Sequence, residues 1–259
     1  MARKTPDTQG PLAFESHFAA IYGDRWPALR QALLAPTNPE DLLEGLTEPY
    51  FLDAASVRAA QALDVKAGDR VLDMCAAPGG KTLVLALALR GTGQLVSNDR
   101  SPDRRVRLTR VIQEHLPEAW RSNIQVTGRD ATRWGLYEPN LYDRVLLDAP
   151  CSSERHILNS PKHLSIWTAH RTKALAQQGL SLLCSALEVL RPGGMLVYST
   201  CSISPTENGD LLERFANKRK AKWTLEEVAQ EFPDSHGTGP LFWARLRKCG
   251  QDENPNGSV

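Results

Sequence analysis

Residues 71–81, V-L-D-M-C-A-A-P-G-G-K, constrain the fold most strongly, because an apolar strand ends there in a turn of small residues. The next eight residues, T-L-V-L-A-L-A-L, continue as an apolar helix. In an open α/β sheet, ligands bind beyond the carboxyl ends of the strands, where backbone N–H groups at a helix start are available to them. This turn is therefore the first candidate for a ligand site.

The same residues exclude two other kinds of glycine-rich turn. A P-loop requires G-x-x-x-x-G-K-[ST]. Gly80, Lys81 and Thr82 supply the end of that motif, but Cys75 stands where its first glycine belongs. The dinucleotide fingerprint G-x-G-x-x-G is absent as well, because the two glycines are adjacent and follow a proline. A nucleoside triphosphatase is therefore not predicted.

Three motifs resemble those of one known family, in the same order. D-M-C-A-A-P-G-G-K (73–81) resembles the S-adenosylmethionine loop of the Nol/Nop/Sun family of RNA cytosine-5 methyltransferases. D-A-P-C-S (148–152) and S-T-C-S (199–202) are similar to its two cysteine motifs, and the likeness covers about residues 47–248. E-R-H (154–156) and F-x-x-x-Y-G-D-R-W-P (18–27) look like the mitochondrial ribosomal-RNA branch and its bacterial relatives.

Strands and helices alternate along the chain as in a doubly wound α/β fold. Strands are predicted near residues 70–74, 94–98, 124–127, 143–147 and 194–199, with a closing edge strand at 241–246. Helices are predicted near residues 80–89, 102–114, 165–190 and 205–217. The resemblance implies a Rossmann-like class I methyltransferase with a mostly parallel sheet.

The chain divides into three predicted parts. Residues 1–46 form an N-terminal helical extension, in which 1–11 are disordered and two short amphipathic helices break around Gly23 and Pro27. Residues 47–250 form the methyltransferase domain, and residues 251–259 form a disordered tail.

Carboxylates follow three neighbouring strands of this pattern, at Asp99, Asp130 and Asp148. Any one of them alone is better explained as a helix N-cap. Three at one sheet edge indicate a site, because such carboxylates can accept ribose hydroxyls and an adenine amino group. The resemblance implies S-adenosylmethionine as the cofactor, with Asp99 on the ribose, Asp130 on the adenine and Asp148 between cofactor and target base. It places these further residues in the cofactor site: Cys75, Ala76, Ala77, Pro78, Gly79, Gly80, Lys81 and Arg104.

Two cysteines, Cys151 and Cys201, follow neighbouring strands of the predicted sheet, so both thiols can face one pocket. Methylating carbon 5 of cytosine requires a thiolate to add at carbon 6, and a base must later remove the hydrogen from carbon 5. Spacing does not decide which cysteine attacks. The resemblance assigns the nucleophile to Cys201 and product release to Cys151. A buried, protonated Asp148 is the candidate acid at N3, and Lys81 is a site residue that points to Asp148 or to substrate.

Clusters of basic residues predict a face for phosphates. They are Arg100, Arg104, Arg105, Arg107 and Arg110; Lys218, Arg219, Lys220 and Lys222; and Arg245, Arg247 and Lys248. RNA contacts are also predicted at His156, His163, His170 and Arg171, with solvated helix faces and loops as the alternative. Ribosomal RNA is the substrate that the resemblance favours. The alternatives are a tRNA cytosine-5 methyltransferase and an RNA-binding ribosome assembly factor without turnover.

The five cysteines are widely separated and predict free thiols in a reducing compartment, with no metal site. Cys184 lies among leucines and is predicted to be a core residue. The polar N-terminus and the lack of a long apolar run predict a cytoplasmic protein without a membrane span, or a mitochondrial one in a eukaryote. The chain is expected to be a monomer that acts with or without a protein partner.

Overall fold

The computed structural model describes residues 9–37, 39–42, 44–219 and 222–250. The helices are α1 (Pro11–Tyr22), α2 (Trp26–Leu34), α3 (Ala54–Gln61), α4 (Gly80–Leu89), α5 (Pro102–His115), α6 (Glu118–Arg121), α7 (Glu154–Leu158), α8 (Pro161–Ser165), α9 (Ala169–Val189), α10 (Gly209–Lys218) and α11 (Pro233–His236). The strands are β1 (Glu40–Leu42), β2 (Tyr50–Leu52), β3 (Arg70–Asp73), β4 (Gln94–Asn98), β5 (Ile124–Thr127), β6 (Tyr142–Asp148), β7 (Leu190–Thr200), β8 (Trp223–Glu231) and β9 (Leu241–Lys248).

The central sheet of the described residues has seven strands in the order β5-β4-β3-β6-β7-β9-β8. The first five are parallel, and β9 and β8 add to them antiparallel. Apolar cores lie on both faces of the sheet, with α9 and α10 on one and α3, α4 and α5 on the other. The predicted doubly wound, mostly parallel fold is confirmed. None of the described helices is long and apolar enough to cross a membrane.

The predicted position of the last strand is wrong. The sequence predicts residues 241–246 as a closing edge strand, but β9 lies between β7 and β8. The edge on this side is β8, which was not predicted because its central four residues are exposed and include Glu226 and Glu227. Charged side chains are a common way to keep an edge strand from pairing further.

Three predicted helices begin or break elsewhere. The helix predicted at 165–190 starts at Ala169, where the Thr168 side chain caps it, and α8 is a separate short helix. The helix predicted at 205–217 is a 3₁₀ turn (Pro205–Glu207) followed by α10. Pro27 does not break the N-terminal helices, because it lies in the first turn of α2, where no N–H is needed. The break is the 3₁₀ turn Gly23–Arg25.

The N-terminal helices pack onto the loop that follows the first cysteine motif. Phe14, Phe18 and Trp26 form one apolar cluster with Ile157 and Trp167. Gln9 and Gly10 donate hydrogen bonds to the Ser165 and Trp167 carbonyls and Pro11 belongs to α1, so the predicted disorder is wrong at residues 9–11. The rest of that prediction, at residues 1–8, and the predicted disordered tail at 251–259 lie outside the described residues.

Gly93→Ala is expected to lower the free energy of unfolding by about 3 kcal/mol. The added side chain would strain the left-handed backbone conformation and would also overlap neighbouring atoms. Gly93 has φ +66°, and an added Cβ would overlap the backbone oxygen of Asp69. Gly68→Ala is the matched control, because Gly68 has φ +87° but open space around its Cβ position. Urea unfolding measures both, and equal losses would contradict the overlap.

Candidate active site

Two cavities open at the carboxyl edge of the sheet. The segment 148–150 lies between them, with Pro150 in the wall of the first and Asp148 in the wall of the second. The first has a volume of about 420 Å³ and is lined by Cys75, Asp99, Arg104, Asp130 and Pro150 among others. The second has a volume of about 450 Å³, and Lys81, Asp148 and Cys201 are in its wall. The structure therefore separates the predicted cofactor residues from the predicted catalytic residues by one short segment of backbone.

Asp99 occupies the buried end of the first cavity. It follows β4 and is 4% exposed. Its Oδ1 accepts a hydrogen bond from the Ser101 N–H at 2.9 Å, whereas its buried Oδ2 accepts none and lies 3.3 Å from Arg104 Nη1. A buried carboxylate oxygen that lacks a hydrogen-bond donor is suited to accept a hydrogen bond from a hydroxyl group of a ligand.

Asp130 combines the two interpretations that the sequence left open. It is an N-cap, since its Oδ1 accepts from the Thr132 hydroxyl at 2.7 Å and from the Thr132 N–H at 3.1 Å. These contacts, the hydroxyl first, lower the pKa of Asp130. It also lines the first cavity, as an exposed carboxylate on the rim.

The loop between β3 and α4 contributes only its two ends to the cavities. Cys75 lines the first and Lys81 the second. The intervening residues form the turn itself and line neither cavity: Ala76, Ala77, Pro78, Gly79 and Gly80. Gly79 has φ +123°, a conformation that side chains rarely adopt. Burial raises the pKa of the Cys75 thiol above its ordinary value, so this cysteine is neutral.

Lys81 points at Asp148, one of the two targets that the sequence predicts for it. Its Nζ lies 2.8 Å from Asp148 Oδ2, while Asp148 Oδ1 accepts from the Ser199 hydroxyl at 2.9 Å. Burial opposes the charge on Lys81, but the Asp148 carboxylate outweighs burial and raises the pKa of the ammonium group. The Asp148 side chain is 32% exposed, so the burial expected of a protonated acid is not present.

The two predicted thiols meet. Cys151 follows β6 and Cys201 follows β7, strands that pair side by side, and the two Sγ atoms lie 3.3 Å apart. Cys201 is exposed and Cys151 is half-buried. The Cys151 S–H, the Ser153 hydroxyl and the Lys81 ammonium together lower the pKa of Cys201, while the contact with Cys201 and burial raise that of Cys151. Cys201 is therefore the more readily ionised thiol of the pair.

Lys81→Met is expected to reduce the rate of Cys201 alkylation at pH 8 by about threefold or more, because losing the nearby cation raises the pKa of the thiol and lowers its thiolate fraction. Alkylation by iodoacetamide, followed by mass spectrometry of the Cys201 peptide, measures this. Lys66→Met is the control, since Lys66 is exposed and pairs with Asp64. An unchanged rate in Lys81→Met would contradict the assigned role of the ammonium group.

Three further residues shape the first cavity and were not predicted from the sequence. Asn98 joins two strand ends and the next loop, donating from Nδ2 to the Met74 carbonyl at 3.0 Å and accepting at Oδ1 from the Arg129 N–H at 2.8 Å. It directly precedes Asp99, which was its only signal. Gln178 and Leu182 of α9 also line this cavity. No sequence signal marks them, because they lie far along the chain from the motifs.

The predicted basic face is only partly present. The Arg104 side chain lies against the cofactor loop and Arg105 against the Asp99 and Arg100 carbonyls, while Arg100, Arg107 and Arg110 are exposed. Arg219 pairs with Glu188, Lys218 and Lys222 are exposed, and Lys220 lies outside the described residues.

The prediction that the third basic cluster forms a face for phosphates is wrong, because its members have partners within the protein. Arg245 and Arg247 pair with glutamates of β8, and Lys248 donates to backbone carbonyls near the end of α9.

The predicted RNA-contacting histidines divide between the second cavity and the surface. His156 is exposed and lines the second cavity, and its ring lies 4.9 Å from that of His163. His170 and Arg171 are exposed at the start of α9. Their contact with RNA stays a prediction.

Comparison with known proteins shows one family. A sequence model of the family described as 16S rRNA methyltransferase RsmB/F matches residues 60–247. The chain is 45% identical over 175 residues to the 5-cytosine rRNA methyltransferase NSUN4 of Xenopus tropicalis, covering 66% of this chain and 43% of that protein. It is 39% identical over 192 residues to the mitochondrial tRNA (cytosine(34)-C(5))-methyltransferase of Danio rerio, covering 73% and 52%. The chain spans about half the length of these relatives.

A solved structure agrees with the sequence comparison. NSun6 from Pyrococcus horikoshii, determined with SFG, superposes with a TM-score of 0.68 at 30% identity, covering 78% of this chain and 53% of that one.

Proposed function

The chain belongs to the 16S rRNA methyltransferase RsmB/F family, and we propose that it forms 5-methylcytosine in ribosomal RNA with S-adenosylmethionine as methyl donor. The observation that carries this proposal is the 3.3 Å separation of the Cys151 and Cys201 sulfur atoms. Two thiols at this distance, one of them exposed and the more readily ionised, match the nucleophile and the base that cytosine-5 methylation needs.

The first cavity fits S-adenosylmethionine. Asp99 Oδ2 is a buried acceptor without a hydrogen bond, and Asp99 would hold the ribose hydroxyls, with Asp130 at the adenine and Cys75 near the methionine part. When bound, the cofactor supplies an electrophilic methyl group. Arg104 lies against the Ala77 carbonyl and holds this side of the cavity.

Asp99→Ala is expected to weaken S-adenosylmethionine binding by about 10- to 100-fold, since a hydrogen bond to a charged group contributes about 1.5–3 kcal/mol. Isothermal titration calorimetry measures the dissociation constant. Asp103→Ala is the control, because Asp103 is exposed on α5. Equal affinity in wild type and Asp99→Ala would place the ribose elsewhere.

Cys201 carries out the first step on the target base. Its thiolate bonds to carbon 6, and the electron pair of the C5–C6 double bond moves to carbon 5, which then accepts the methyl group. The Cys151 S–H first, and then the Ser153 hydroxyl and the Lys81 ammonium, lower the pKa of this sulfur and so favour its ionised form. Asp148, beside Cys201 in the second cavity, positions Lys81 and is available to the N3 edge of the base.

Cys151 carries out the release step. It removes the hydrogen from carbon 5, the C5–C6 double bond forms again, and the bond from carbon 6 to Cys201 breaks to return the thiolate. The contact with the Cys201 thiolate, burial and the charge of Cys201 raise the pKa of Cys151. Once Cys201 is bonded to carbon 6, the two causes that depend on its charge end, so the Cys151 S–H loses its proton to solvent more easily and the resulting thiolate accepts the carbon-5 hydrogen.

The experiment that tests this function offers labelled S-adenosylmethionine to the protein with purified ribosomal RNA or tRNA. The expected result is label in ribosomal RNA. Label only in tRNA would establish the alternative suggested by the Danio rerio relative. No label in any RNA would favour the assembly factor without turnover.

We further propose a monomer, acting in the cytoplasm or in the mitochondrion of a eukaryote. RNA recognition comes from this domain or from a protein partner.

A further inference from the structure

Two buried glutamates brace the cysteine loops against each other. Glu154 and Glu207 are 0% and 1% exposed. Glu154 lies on the Cys151 side but its Oε2 accepts from the Ile203 N–H, in the Cys201 loop, at 2.9 Å. Glu207 lies on the Cys201 side but its Oε1 accepts from the Ser152 N–H, directly after Cys151, at 3.0 Å. Each carboxyl group thus holds the opposite loop.

The two carboxyl groups also share two serine hydroxyls. Ser152 Oγ contacts Glu154 Oε1 and Glu207 Oε2, and Ser202 Oγ lies 3.2 Å from Glu154 Oε1 and 2.6 Å from Glu207 Oε2. Two hydroxyl hydrogens serve only two of these contacts, because each hydroxyl has one hydrogen. A proton on one carboxyl group supplies a hydrogen for a third contact. The geometry therefore favours one proton held between the two carboxyl groups.

The electrostatic surroundings agree with a retained proton. Burial first, and then the charge of Glu154, raise the pKa of Glu207 to about 7, and burial raises that of Glu154. The ionisable groups facing the pair are Tyr22 of α1, Tyr198 of β7 and the Cys151 thiol. A carboxyl pKa raised on folding means that the protonated arrangement is stable at low pH and is lost as the pH rises through about 7.

We propose that Glu154 and Glu207 are positioning residues that share one proton and thereby fix the distance between the Cys151 and Cys201 sulfur atoms. This rests on the proposed function, because the distance sets how fast Cys151 removes the carbon-5 hydrogen and Cys201 leaves carbon 6. Neither Glu154 nor Glu207 lines either of the two cavities.

The first test measures the thiol distance without using the methylation reaction. Phenylarsine oxide binds two neighbouring thiols together, so its affinity reports their spacing. Glu207→Ala is expected to weaken this binding by about tenfold or more, through loss of buried hydrogen bonds. Ser185→Ala is the control for loss of a buried hydroxyl outside the two cavities. A folded Glu207→Ala protein that binds phenylarsine oxide like wild type overturns the proposal.

Glu207→Gln keeps the test decisive if Glu207→Ala does not fold. Glutamine resembles the protonated carboxyl group and cannot lose a proton at any pH used. At pH 6 this variant is expected to bind phenylarsine oxide within about threefold of wild type. Between pH 6 and 8.5 the affinity of wild type is expected to fall relative to that of the variant. A constant ratio across this range, or a Gln variant as weak at pH 6 as the Ala variant, overturns the proposal.

Turnover separates this proposal from the proposed function. With RNA and S-adenosylmethionine, Glu207→Ala is expected to accumulate a protein–RNA adduct that survives denaturation, because release slows about tenfold or more. If wild type labels no RNA but the phenylarsine oxide results hold, the proposed function fails and the positioning role stands. If wild type is active and the Ala variant releases product at the wild-type rate, the positioning role fails alone.

Discussion

Cys201→Ala is expected to lower the rate of methyl transfer to RNA by at least about three orders of magnitude, because it removes the nucleophile on which the later steps depend. Its sulfur is the exposed and more readily ionised member of the pair, and Cys201 lines the second cavity with Lys81 and Asp148. Label transfer from S-adenosylmethionine under single-turnover conditions measures the loss. No denaturation-resistant adduct is expected, since no sulfur remains in position to bond to carbon 6.

Two comparisons make that result specific. Cys249→Ala removes a cysteine that is 9% exposed and lies at the end of the described chain, and it is expected to keep the wild-type rate. S-adenosylmethionine affinity in Cys201→Ala is expected to be unchanged, because Cys201 does not line the first cavity. Substantial label transfer by a folded Cys201→Ala protein would contradict its role as nucleophile.

Cys151→Ala is expected to lower the turnover rate by about 100-fold or more while leaving the first methyl transfer intact, because general-base removal contributes about 10²–10⁴. The methylated base then stays bonded to Cys201. Denaturing electrophoresis with labelled cofactor measures the adduct, which is expected to approach one equivalent of protein. The loss of the Cys151 S–H also raises the pKa of Cys201, so the assay is best run above pH 8.

Removing both cysteines provides the control for this adduct. The Cys151→Ala, Cys201→Ala double variant is expected to form none. An adduct in Cys201→Ala and none in Cys151→Ala would reverse the two roles and make Cys151 the nucleophile. Rapid turnover by Cys151→Ala would mean that another base, or water, removes the hydrogen from carbon 5.

Much of the fold could be predicted because local patterns and the family resemblance agree. Strands β4 and β5 and helix α4 have the predicted bounds, since turn-forming residues flank them: Gly93 before β4, Gly128 after β5 and Gly79 before α4. The edge strand β8 could not be found in this way. Its stability comes from pairing with β9, and its exposed face carries charges that resemble a loop or helix surface.

The site was predictable where chemistry depends on residue type and strand position. Neighbouring parallel strands end at one edge, so motifs that follow β6 and β7 bring Cys151 and Cys201 together. The partners of side chains were less predictable. The buried Glu154 and Glu207 and the salt bridges of Arg245 depend on tertiary packing, which spacing along the chain does not encode.

The most direct test of the account is the identity of the sulfur that bonds to the base. RNA in which the target cytidine is replaced by 5-fluorocytidine should trap the wild-type protein. The catalytic base, Cys151, cannot remove fluorine from carbon 5 as it removes hydrogen. Digestion and mass spectrometry then locate the attached nucleotide. The account predicts attachment at Cys201 alone, in the presence of S-adenosylmethionine. Attachment at Cys151, or no attachment by a protein that methylates the unmodified RNA, would contradict it.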